Sequence, residues 1–114
     1  MEQGGQDATI WFQYVSDTDT LWIEWDSVMT LAAQSNRANI QPHLADLSDI
    51  RQRTAAMPYN ARFEARHSYM LQAMDYAIQA FEDWFAGGTQ RDDLLILSGQ
   101  ARDNWGEALN QVPH

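Results

Sequence analysis

The chain contains no cysteine and no lysine. The first absence excludes disulfides, thiolate zinc sites, covalent c-type haem attachment and thiol catalysis, and leaves the redox compartment open. The second makes all seven basic residues arginine, which reads first as the codon bias of a GC-rich genome and second as a preference for forked pairing with carboxylates. Basic residues of either kind are missing altogether from residues 1–36, which carry Glu2, Asp7, Asp17, Asp19, Glu24 and Asp26. In a chain of net charge −9 this argues against direct binding to nucleic acid or anionic lipid, because phosphates reward clustered Lys and Arg through counterion release. A basic partner is compatible with it. No apolar run reaches the roughly 20 residues needed to cross a bilayer, and the start MEQGGQDAT lacks the basic and apolar regions of a signal peptide. The expectation is a soluble chain, cytoplasmic by default, with an exported mature domain as the alternative.

What is present speaks for a folded domain. Hydrophobic residues make up 45% of 114 positions and five are tryptophan, enough for one core and above what a disordered segment carries. Over 8–34, Trp11, Val15, Thr18, Trp22, Trp25, Met29 and Ala32 repeat at alternating steps of four and three, with Tyr14, Leu21 and Val28 alongside, which is the stripe of an amphipathic helix. The rival is a β-hairpin, since TIWFQYV and LWIEW are rich in β-branched and aromatic residues around SDTDT. A helix broken near Ser16 to Thr20 and recapped by Asp17 or Asp19 lies between the two. The polar SNRANIQP then reads as a loop, and Leu44, Leu47, Ile50, Arg51 and Thr54 place one face on a short helix over 43–56.

A third helix is expected over 58–86, opening on Pro58 in its first turn, with Phe63, His67, Met70, Met74, Ala77, Phe81 and Trp84 on its seam. Gly87 and Gly88 supply a left-handed stop, and Thr89 with Asp92 resembles a capping box. The last helix, over 90–110, carries Leu94, Leu97, Ala101, Trp105 and Ala108, flanked by Leu95 and Leu109, before Val112 and Pro113. Gly99 and Gly106 within it suggest close approach of a neighbouring backbone. Three long helices and one short one joined by short loops make a single all-α, up-and-down bundle.

The candidate chemistry centres on His67, an ionisable ring in a packing seam. Its structural role is a neutral ring bonded to a carbonyl, hydroxyl or carboxylate on a facing helix. Its metal role uses the Glu64-x-x-His67 step, which places both side chains on one helical face as in carboxylate-bridged di-iron bundles. The chain holds one such step, so that site needs a homodimer, with Glu24 or Glu82 as the further carboxylate. Met70 and Met74 on the same face give a copper or haem variant, although methionine in a seam is ordinarily a gap-filler. Ser68 points about 100° away from His67 and cannot pair with it, and Asp92 and Asp93 suit a helix N-terminus. The paired glycines lack the spacing and the lysine of a phosphate loop. Neither an enzyme nor a cofactor is expected. The favoured function is a non-enzymatic interaction domain that presents an acidic, aromatic-rich surface to a protein partner, with Asp17, Asp19, Trp22, Glu24, Trp25, Asp26, Trp84 and Phe85 as the contact residues. Alternatives are an acidic inhibitor that mimics nucleic acid in a basic groove, and the iron- or copper-binding bundle at Glu64 and His67.

Overall fold

The computed structural model describes the backbone of residues 2–110 and the side chains of residues 9–108. The side chains of Glu2, Asp7 and Leu109, and the stop expected at Val112 and Pro113, lie outside the described residues. Four helices follow one another: α1 (Glu2–Gln34), α2 (Gln41–Ala56), α3 (Glu64–Phe85) and α4 (Arg91–Asn110). No strand occurs among the described residues, so the hairpin reading of the first third gives way to one unbroken helix. The hydroxyls that argued for a turn fold back onto that helix: Thr18 Oγ1 donates to the Tyr14 carbonyl at 2.9 Å and Thr20 Oγ1 to that of Ser16 at 3.1 Å. Each thereby satisfies itself without breaking the ladder.

The helices run alternately up and down. Glu24 meets Arg53 across α1 and α2, Arg51 meets Asp75 across α2 and α3, Ser98 reaches the Ala73 carbonyl across α3 and α4, and Asp26 meets Arg102 across α1 and α4. At about 1.5 Å per residue α1 is roughly 50 Å long, which accounts for the 56 × 22 × 19 Å extents of the chain. No helix among the described residues is long and apolar enough to cross a membrane.

The third helix starts six residues later than its periodicity suggests. Met57 precedes Pro58 and is held extended (φ −64°, ψ 126°), as proline demands of its neighbour. Asn60 then caps a single 3-10 turn, Ala61–Phe63, by accepting the Arg62 N–H on its side chain. At the other end, Gly87 takes φ 89°, and the Gly88 and Gly87 amides bond to the Asp83 and Trp84 carbonyls at 2.8 and 3.1 Å, a Schellman closure that only glycine enters without strain. The capping box expected of Thr89 and Asp92 is not used. Asp83 accepts the Gln90 N–H at 2.8 Å, and Gln90 serves as the N-cap through its carbonyl. Gly99 and Gly106 mark no close approach, since a Cβ at either meets nothing within 4 Å.

One apolar cluster runs the length of the bundle, and the seams account for most of it. Leu21, Trp22 and Trp25 from α1, Leu47 and Ile50 from α2, Met70, Met74, Ala77 and Phe81 from α3, and Ala101 from α4 are all buried in it. Each large side chain so removed from water contributes roughly 1.5–3 kcal/mol before entropy. Leu97 departs from the expected seam and is 40% exposed; its neighbour Ser98 turns inward to bond Ala73 at 2.6 Å. A second, smaller cluster stacks Tyr14 on Phe63 with ring centroids 4.3 Å apart.

Candidate functional site

The two clusters meet where α3 begins, and there the interior turns polar. His67 Nε2 lies 2.8 Å from the Thr54 carbonyl, which can only accept, so this nitrogen carries the proton. Nδ1 is then the lone pair that accepts the Tyr14 hydroxyl at 3.0 Å. Tyr59, from the extended segment before the 3-10 turn, stacks on the imidazole at 4.3 Å. Burial holds the His67 pKa below its ordinary value, opposed by the bond to Thr54. Burial also pushes the Tyr14 hydroxyl up to about 12, with the Arg66 cation and the Trp105 indole pulling down and Tyr59 adding to the rise.

Both ring nitrogens of His67 are committed within the fold, while Met70 and Met74 are fully buried among apolar neighbours. Glu64 is exposed. Among the described residues no group of three or more His, Asp or Glu side chains is placed to hold a metal ion. His67 therefore has the architecture of a satisfied core histidine, and within a single chain the described residues do not assemble the metal constellation.

The residues expected to form a contact surface separate into three groups. Trp22 and Trp25 are core rings, 4% and 3% exposed, so neither can anchor a partner; the stripe that suggested a face for binding is the face that packs. Trp84 and Phe85 lie at the far end of α3. Trp84 is half-buried between the guanidiniums of Arg37 and Arg91, at 5.7 and 4.8 Å, and Phe85 is exposed. The carboxylates do reach the surface of α1. Glu24 bonds Arg53 at 2.8 Å, Asp26 bonds Arg102 at 2.6 Å, Asp17 accepts from Gln13 at 2.9 Å, and Asp19 is exposed.

Along the seam between α1 and α2 three depressions adjoin. The first, about 240 Å³, lies between α1 and the segment after α2 and is floored by Ile10, Tyr14, Tyr59 and Phe63. It meets the second, about 400 Å³, at Asp17, and the second meets a third, about 290 Å³, at Arg53. Asp17, Glu24, Asp46 and Asp49 line the series, with Arg53 as its cation, and Arg53 is engaged by Glu24 and Asp49 at 2.8 and 3.0 Å. From Thr9 to Val28 this groove follows α1 for roughly 28 Å.

Two features of the site have clear sequence signals that the seam reading passes over. Arg66 is 1% exposed, and it lies three residues after Phe63 and four before Met70, which is core spacing. The acidic residues Asp46 and Asp49 of α2 occur one turn apart on the flank that faces Glu24. Fold and site together define an all-α bundle with a polar buried end and an acidic groove. No family model matches the chain, and neither curated proteins nor solved structures yield a match.

Proposed function

We propose that the protein is a non-enzymatic binding domain whose α1–α2 groove receives a basic, amphipathic segment of a partner protein. The single observation that carries this reading is the groove's composition: four carboxylates against one arginine, over a floor of aromatic and aliphatic side chains. A segment with apolar residues on one face and Arg or Lys on the other satisfies both parts at once, the apolar face by burial and the basic rim by charge complementarity. The aromatic component of the expected surface is here Tyr14, Tyr59 and Phe63 rather than tryptophan. A second copy of the chain is a poor occupant, because it would set like charges against each other. A nucleic-acid mimic is the second reading; it uses the carboxylates alone and gives no part to the apolar floor beside them. A cytoplasmic setting is the default for such a domain.

The test uses a designed Leu/Lys amphipathic peptide and its Leu/Glu counterpart, followed by fluorescence anisotropy. The Lys peptide is expected to bind, to weaken several-fold as salt rises from about 0.05 to 0.3 M, and to weaken again with Asp17→Asn and Asp46→Asn together. Asp103→Asn, on exposed α4, should leave binding unchanged. Absence of binding, or equal binding of the Glu peptide, sinks the proposal.

A further inference from the structure

A ladder of two indoles with a guanidinium at each end crosses α1, α3 and α4. Arg66 Cζ lies 3.8 Å from the Trp105 ring centroid and 5.3 Å from that of Tyr14. Trp105 meets Trp22 edge to face at 5.5 Å, and Arg102 Cζ lies 4.1 Å over Trp22. The two arginines at its ends differ in one respect. Arg102 has a counterion: its two terminal nitrogens donate to Asp26 at 2.6 and 3.0 Å. Arg66 has none among the described residues, although it is by far the more buried of the two. Its Nε and Nη1 are enclosed and bond to nothing, and Trp22 Nε1 is likewise an enclosed donor without an acceptor, while the Trp105 indole lies close enough to the Tyr14 hydroxyl to lower its pKa. The carboxylate whose charge Arg66 feels is Asp19, an exposed residue that bonds neither Nε nor Nη1.

Stacking on aromatic rings offsets part of the desolvation of a guanidinium, but it supplies no acceptor for N–H groups, and buried donors in folded proteins are almost always paired. Two such donors on one buried cation call for an anion. Trp105 is in van der Waals contact over the guanidinium, so an acceptor approaches its edge. Among buried rings a carboxylate of one charge is desolvated at less cost than a phosphate of nearly two. The surrounding rings favour an apolar body on the acid. Trp105 is half-buried and also reaches solvent, so turning its side chain uncovers Arg66 without moving a helix. The chain's net negative charge acts at long range and is screened within about 8 Å in physiological salt.

We propose that Arg66 is the receptor for a small organic carboxylate bearing an apolar or aromatic body, and that Trp105 is its movable cover. This site is separate from the α1–α2 groove and stands or falls independently of it.

The experiment titrates the full chain, labelled with nitrogen-15, with sodium benzoate at constant ionic strength, following the indole N–H and arginine Nε–H resonances. Saturable shifts of the Trp105 indole and Arg66 Nε–H are expected, with none from sodium chloride or sodium phosphate. Arg66→Met should bind benzoate roughly tenfold more weakly or worse, since a charge-assisted contact is lost. If that variant does not fold, Arg66→Lys, which keeps the charge but not the planar fork, should lose most of the affinity. The proposal is overturned by linear, non-saturating shifts, by phosphate acting as strongly as benzoate, or by wild-type affinity in the variant measured.

Discussion

The two ends of the bundle are built by different rules. Around the end of α3 and the start of α2, Ile40, Leu47, Met74 and Phe81 are each at most 2% exposed and pack against one another and the end of α1 as hydrocarbon. Around the start of α3 and the end of α2, Thr18, Thr54, Arg66 and His67 are buried beside the rings of Tyr14 and Phe63. The first end needs volume and spacing, and tolerates any arrangement that fills space. The second needs each donor to find an acceptor. Thr18, Thr54 and His67 find theirs inside the fold, and Arg66 does not. That contrast separates an apolar end that only has to hold from a polar end where the described residues leave one requirement unmet.

The largest effect expected from breaking this comparison is at the apolar end. Phe81→Ala removes a ring that is 2% exposed at the heart of the main cluster, where neighbours on three helices cannot collapse into the space. A loss of about 3–5 kcal/mol is expected, a large share of the roughly 5–15 kcal/mol typical of a domain. Urea unfolding measures it. A loss below about 1 kcal/mol would mean that this end is loosely packed and that the two ends do not differ as described.

The polar end should respond to pH where the apolar end does not. Burial holds His67 below its ordinary 6.5, so the unfolded chain takes up a proton near that pH which the folded chain still refuses. Stability is therefore full above 6.5 and falls as pH drops below it. The groups that face the ring are the Tyr14 hydroxyl, the Tyr59 ring and the Thr54 carbonyl, with the Arg66 guanidinium close by on Tyr14. None of these is a carboxylate that could offset the new charge. Urea midpoints between about pH 7 and 5.5, above the range where carboxylates titrate, should decline in the wild type, and the decline should shrink in His67→Gln. A slope of the same size in His67→Gln would assign the effect elsewhere.

The fold was legible in the sequence because helical spacing is a geometric signal, and the seams through Trp22, Trp25, Met70, Met74 and Phe81 need no partner to be read. Boundaries set by single side chains were not. Asn60 delays α3 and Asp83 displaces Thr89 at the start of α4, and neither periodicity nor propensity encodes those hydrogen bonds. The surface residues were legible by halves. Acidic side chains seek water, and of the four on α1 Asp19, Glu24 and Asp26 are exposed while Asp17 is half-buried. Trp22 and Trp25 are amphipathic in character but lie on the seam, and burial claimed them. Arg66 escaped because a charged residue at core spacing is ordinarily read as a neighbour of the seam rather than part of it.

The smallest effect tests the ladder from its satisfied side. Asp26 and Arg102 form a forked pair, yet their side chains are 53% and 39% exposed, so water and salt screen the attraction. Asp26→Asn should cost less than about 1 kcal/mol, and the difference from wild type should fade as salt approaches roughly 1 M. The comparison is sharpened by making the same measurement on Arg66→Met. There the substitution removes an unpaired buried charge, and stability in buffer free of carboxylates should hold or rise, as replacement of buried ionic groups by apolar ones of similar size often allows. A cost for Arg66→Met larger than that for Asp26→Asn would mean that Tyr14 and Trp105 already compensate the guanidinium in full. The ladder would then be complete without an anion, and the difference between its two ends would be one of exposure alone.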